Sequence, residues 1–174
     1  PLLAGDRGAS AVDWRGDGAP GLFAFGAQGL SVAVRAGTVW SALRLVEAPV
    51  GAACAFDLEN DGDLDVAYAT PDGVYLIEHL AAEAGSALAR AQFRTWTEPI
   101  ALLPGAAREI AAVDVDHEGD LDLVAVGPFG ARLLRNDGAR WSAGTPEDPG
   151  ARIGAFTDAS AETALAAAFG DARV

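Results

Sequence analysis

Asp57-Leu58-Glu59-Asn60-Asp61-Gly62-Asp63-Leu64-Asp65-Val66 and Asp114-Val115-Asp116-His117-Glu118-Gly119-Asp120-Leu121-Asp122-Leu123 are two copies of one pattern. The acidic residues and the glycine align without a gap, and each copy is entered through a short apolar pair, Ala55-Phe56 and Ala112-Val113. A repeat of this kind decides the fold class, because each unit must bury its apolar face against its neighbours. Downstream, Val66 to Thr70 is followed by Pro71-Asp72-Gly73 and the apolar run Val74 to Ile77, while Leu123 to Gly127 is followed by Pro128-Phe129-Gly130 and Ala131 to Leu134. Each unit therefore reads as strand, acidic loop, strand, tight turn, strand.

Two fainter copies flank these. Asp13-Trp14-Arg15-Gly16-Asp17-Gly18 leads into Leu22 to Phe25, the turn Gly26-Ala27-Gln28-Gly29 and the run Leu30 to Val34. Near the end, Ala155-Phe156-Thr157 and Ala164 to Phe169 keep only the outline. Trp40, Trp96 and Trp141 precede Asp57, Asp114 and Thr157 by 17, 18 and 16 residues, which places a tryptophan on a fourth strand of each unit, with a core role between units. Unit starts at 13, 57, 114 and 157 are 44, 57 and 43 residues apart. A four-stranded propeller blade takes about 40–50 residues. The long interval carries the alanine-rich stretch Leu80 to Ala91, expected as a surface insertion between strands three and four, with some helical character. The expected fold is all-β: a partial β-propeller of about three to four four-stranded blades in one segment, residues 1–174. Its units lie near 9–46, 51–98 and 109–143, with an incomplete one at 151–174.

Counting Asp57 as position 1, side-chain oxygens fall at positions 1, 3, 5 and 9 from Asp57, Glu59, Asp61 and Asp65, with the carbonyl of Asp63 at position 7. The second loop places Asp114, Asp116, Glu118, the carbonyl of Asp120, and Asp122 likewise. Calcium takes six to eight hard oxygen ligands of this sort from a tightly curved loop. Gly62 and Gly119 stand at position 6, where the chain must turn and a residue without Cβ reaches positive φ most cheaply. Crowded carboxylates repel, and a divalent cation relieves them. Two calcium ions are therefore expected. An EF-hand would need Glu at position 12, where Tyr68 and Ala125 stand. Magnesium keeps its waters, and zinc wants His or Cys, whereas His117 occupies an even, outward place.

In the first unit Arg15 stands at position 3 and Gly21 at position 9, so the expectation is an Arg15 guanidinium pairing with Asp13 and Asp17 in place of an ion. In the fourth, Thr157, Ala159, Ala161 and Leu165 leave no ligand set.

The stretches Asp57 to Thr70 and Asp114 to Gly127 resemble the FG-GAP, or VCBS-type, repeats of integrin α-subunit propellers and of many bacterial secreted proteins. Glu59 and Glu118 depart from the shorter acids usual there. The resemblance implies a propeller whose ion pins the hairpin between the first two strands of a blade, and an extracellular or periplasmic location. It also implies completion by further blades, from the same polypeptide or another subunit.

Composition bounds the function. A net charge of −13 argues against a nucleic-acid partner, which needs clustered Lys and Arg. Membrane insertion is not expected, since no run of about 18 apolar residues occurs. Cys54, the single cysteine, reads as a small buried hydrophobe. Arg15-Gly16-Asp17 lies inside the decayed loop and reads as a coincidence rather than an adhesion ligand. No nucleophile elbow, Ser-His-Asp set or zinc-protease motif is present, and the carboxylates are already assigned. The expected function is a non-catalytic calcium-binding scaffold for protein or glycan recognition or assembly. The alternative is an accessory or catalytic propeller domain of a secreted polysaccharide-degrading or hydrolytic enzyme.

Overall fold

The structure is a computed structural model and describes residues 5–14, 18–80, 89, 92–115, 117–136 and 141–143. Four strands open the chain: β1 (Gly8–Val12), β2 (Gly21–Gly26), β3 (Gly29–Ala36) and β4 (Val39–Val46). The second group is β5 (Ala52–Phe56), β6 (Asp65–Thr70), β7 (Gly73–His79), β8 (Phe93–Thr95) and β9 (Ala101–Leu102). The third is β10 (Glu109–Val113), β11 (Asp122–Gly127), β12 (Gly130–Asn136) and β13 (Trp141–Ala143). Each group is one antiparallel meander, in the orders β1-β2-β3-β4, β5-β6-β7-β8 and β10-β11-β12-β13. Packed face to face, the three meanders are blades of a partial β-propeller.

Register is set by the repeat itself. Phe56 pairs with Asp65 and Val113 with Asp122, so position 9 of each acidic loop lies directly across from the residue that precedes position 1. Val12 pairs with Gly21 in the same way. A one-residue slip would turn every apolar side chain to the wrong face, so the buried alternation holds this register.

The middle blade is buried on both faces, and β6 shows how. Its Val66 and Tyr68 join Trp14, Phe23, Leu30 and Val32 of the first blade, while its Ala67 and Ala69 join Leu123, Ala125 and Leu134 of the third. Strand β7 divides likewise, with Ile77 toward the first blade and Val74 and Leu76 toward the third. Burying each such large side chain contributes about 1.5–3 kcal/mol, so the contacts between blades stabilise units that no single sheet could.

The long interval has a structural account. Strand β7 ends at His79 and β8 starts at Phe93, which puts the insertion between strands three and four of the middle blade. A second contribution went unforeseen. The fourth strand is interrupted: β8 pairs with one end of β7 and β9 with the other. Trp96 N and Ile100 N donate to Leu76 O and Val74 O at 2.9 and 2.8 Å, so the chain bows outward between them. The helical character expected within Leu80 to Ala91 falls mostly on residues outside those described, as does the whole fourth unit.

One side-chain expectation is corrected. Trp40 lies on β4 in a largely exposed stretch and joins none of the core clusters among the described residues. Strand β4 keeps only Leu45 and Val46 buried, at the end of the strand opposite to the half-buried Trp40. Trp96 does pack on the core, and its Nε1 donates to Glu78 at 3.3 Å. Trp141 lies on β13. The tryptophan that fills the interior is Trp14, 2% exposed. Cys54, expected to be buried, is half-buried and packs against the core, and burial pushes its thiol up to about 12.

Candidate functional site

The acidic loops span residues 57–64 and 114–121, between the first two strands of the middle and third blades. Both turn the same way. Residues at position 4, Asn60 and His117, have φ of 58° and 62°, and Gly62 and Gly119 at position 6 have φ of 93° and 102°. The glycines were foreseeable from the pattern. The left-handed residue at position 4 was not, although Asn is among the few side chains that tolerate it.

Three of their hydrogen bonds also match pairwise. Asp57 Oδ2 accepts from Gly62 N at 2.9 Å, and Asp114 Oδ2 from Gly119 N at 3.2 Å. At position 9, Asp65 Oδ2 accepts from Leu58 N at 2.8 Å and its Oδ1 from His79 N at 2.7 Å. Asp122 repeats this with Val115 N at 3.1 Å and Asn136 N at 2.8 Å. Asp65 and Asp122 are buried, 0% and 2% exposed. The carboxylate at position 9 thus ties the loop to the third strand of its blade. This structural duty was not legible from ligand spacing.

The other acids differ between the loops. In the first, Asp57 Oδ1 accepts from Asp61 N at 3.0 Å, and Asp61 Oδ1 from Asp63 N at 3.1 Å. Asp63, expected to offer only its carbonyl, turns its carboxylate inward instead. It is 8% exposed, its Oδ1 has no hydrogen-bond partner among the described residues, and its Oδ2 lies 3.5 Å from Nδ1 of buried His79. His79 stacks on Phe93 with ring centroids 4.9 Å apart. In the second loop, Glu118 leans away to meet Arg135 at 3.2 Å, while Asp114 Oδ1 is buried without a hydrogen-bond partner among the described residues. Asp120 Oδ1 accepts from Asn60 Nδ2 at 3.3 Å, and Asp116 lies outside the described residues.

Chemically the two loops are oxygen-donor sites with more negative charge than they neutralise. Among the described residues no three acidic, His or Cys side chains close up as a ready-made ligand cage. The buried, unpartnered oxygens of Asp63 and Asp114 nonetheless fit a hard cation, which would complete what the protein leaves unsatisfied. Crowding in the first loop shows in its acidities. Burial, then the charges of Asp61 and Glu59, push Asp63 up to about 7. Partial burial, then the charges of Asp65 and Glu78, push Glu59 up to about 7. Burial pushes Asp65 up to about 6, against the pull of the His79 and Leu58 N–H groups.

These shifts have one sign. All three groups bind protons more tightly folded than unfolded, so their contribution is complete below the ordinary carboxylate range and is lost as pH rises through about 6–7. With divalent ions chelated, the melting temperature should fall between pH 5 and pH 8. A flat or rising profile in a calorimetric pH series would contradict this crowding.

In the first loop of the chain, residues 13–20, the described residues keep the turn at position 6: Gly18 has φ of 79°, and its N donates to Asp13 Oδ2 at 2.7 Å. Arg15 and Asp17, and with them the expected guanidinium pairing, lie outside the described residues. What fills the loop is Trp14. A Cβ placed on Gly21, position 9 of this loop, would come within 2.3 Å of Trp14 Cδ1, so the indole takes the space of the carboxylate found in the other two. Trp14 packs edge-on against Phe23 and Phe93, with centroids 6.2 and 6.5 Å away. An aromatic residue at position 2 paired with glycine at position 9 was the available signal.

Beside the middle loop, Glu78 is 7% exposed and is held by Arg94, whose Nε donates to it at 2.7 Å. The corresponding place in the third blade holds Arg135, so the two acidic loops sit in unlike electrostatic surroundings. No helix among the described residues is long and apolar enough to cross a membrane. Residues 57–125 match the model of the FG-GAP-like repeat, a stretch that runs from the first acidic loop through the second and into β11. No curated protein matches the chain.

Proposed function

For a chain that carries FG-GAP-like repeat sequence over residues 57–125, we propose a non-catalytic, calcium-binding β-propeller scaffold that works outside the cytoplasm in protein or glycan recognition or in assembly. One observation carries the calcium reading: two loops in neighbouring blades share the same turn and three of their hydrogen bonds, and each leaves a buried carboxylate oxygen without a hydrogen-bond partner among the described residues. Asp57, Glu59, Asp61, Asp63 and Asp65 would hold one ion, and Asp114, Asp116, Glu118, Asp120 and Asp122 the other. The Asp63 side chain, rather than its carbonyl alone, faces inward. Bound calcium would neutralise the crowded acids and pin the first two strands of each blade. An extracellular or periplasmic setting supplies calcium at the concentration that modest sites need.

Further blades, from the same polypeptide or from another subunit, are the natural partners. Strand β1 is exposed through Ala9, Ser10 and Ala11, whereas the middle blade is covered on both faces.

The test is thermal unfolding with and without calcium, on wild type and on Asp57→Ala with Asp114→Ala. At a hundredfold excess over the dissociation constant, each filled site should raise the wild-type melting temperature by about 5–10 °C. The double variant should not respond. A calcium-indifferent wild type would remove the calcium-scaffold reading.

A further inference from the structure

Adjacent loops on this rim are linked. Leu64 N, in the loop of the middle blade, donates to Trp14 O of the first blade at 3.2 Å. Asn60, in that same middle loop, reaches the third blade: its Nδ2 donates to Gly119 O and to Asp120 Oδ1, both at 3.3 Å. Asn60 holds the left-handed φ of 58° at position 4, so its side chain is aimed by the curvature of its own loop. Gly119 and Asp120 form the turn of the next loop, at positions 6 and 7. We infer that the two loops take up calcium cooperatively, with Asn60 as the positioning residue that couples them.

The inference rests on the calcium reading above, which the buried, unpartnered Asp63 oxygen supports beyond the clustering of acids. An ion in the middle loop would fix the curvature from 57 to 65 and with it the direction of Asn60. Asn60 then holds the Gly119–Asp120 turn in place, so the second loop has less conformational freedom to lose when its own ion arrives. Coupling of this kind is reciprocal: each ion strengthens the other's binding by the same factor. Because the link is a pair of long, exposed hydrogen bonds, a factor of about five to ten is the expected size.

Titration calorimetry of calcium into the full chain, run as a cycle over wild type, Asp57→Ala, Asn60→Gly and the double variant, tests it. Glycine keeps the left-handed turn at residue 60 and removes only the side-chain link. Wild type should bind the 114–122 site about five- to tenfold more tightly than Asp57→Ala does, and Asn60→Gly should abolish that difference. Two sites that fill independently in wild type, or a difference that survives Asn60→Gly, would overturn the coupling while leaving calcium binding intact. No calcium uptake by wild type would overturn both readings.

Discussion

Asp65→Ala should destabilise the chain by about 3–5 kcal/mol with divalent ions chelated, lowering the melting temperature by about 6–20 °C. The reason is independent of metal. Asp65 is 0% exposed, and its two oxygens accept from Leu58 N at 2.8 Å and His79 N at 2.7 Å. Removing it leaves both N–H groups buried without acceptors, and each hydrogen bond to a charged acceptor is worth about 1.5–3 kcal/mol. Asp65→Asn, which keeps one acceptor oxygen, should lose about half as much. Asp61→Ala is the control: its carboxylate is exposed and accepts from Asp63 N, so a loss near 1 kcal/mol is expected. Denaturant unfolding of the three variants decides the matter. Equal losses for Asp65→Ala and Asp61→Ala would mean that position 9 is a ligand and nothing more.

The second large effect runs against the repeat pattern. Gly21→Asp restores the acid that the other loops carry at position 9, yet it should lower stability by at least about 3 kcal/mol and create no third calcium site. The new Cβ would fall within 2.3 Å of Trp14 Cδ1 and 2.7 Å of its Nε1, in a place where the ring is 2% exposed. Overpacking costs about 1–3 kcal/mol, and an unpaired buried carboxylate adds several more. The middle loop shows what the acid requires, since Leu58 at position 2 stands with Asp65 at position 9. Trp14→Leu combined with Gly21→Asp should therefore be less destabilising than the two single losses added together. Additive losses would show that the indole and the position 9 side chain do not compete for one space.

Which features could be read without the fold follows from their range. The strands, the tight turns at 71–72 and 128–129, the blade repeat and the positive φ at Gly62 and Gly119 all depend on neighbours along the chain, so spacing and residue type reveal them. Glycine at position 6 is a local requirement. So is the alternation of Val66 and Tyr68 with Ala67 and Ala69, which marks a strand buried on both faces. The insertion between strands three and four was equally legible, because it stretches one interval of an otherwise regular repeat.

Other features were set where distant segments meet. The duty of Asp65 depends on His79, 14 residues away on β7, and the inward turn of Asp63 depends on the same histidine. Glu118 is drawn to Arg135 by a charge from another strand, while the matching place in the middle blade holds Glu78. Trp14 fills the first loop because Phe23 and Phe93 form an apolar wall between two blades, and Phe93 belongs to the neighbouring one. By itself the sequence determined the repeat, the strand order within a blade and the positions of the acidic loops. These follow from residue periodicity and turn chemistry over a few residues. Only the tertiary structure decided which carboxylates serve as backbone acceptors, which are left unsatisfied and which loop is closed by an indole. Those outcomes depend on desolvation and on partners brought together by the packing of one blade against the next.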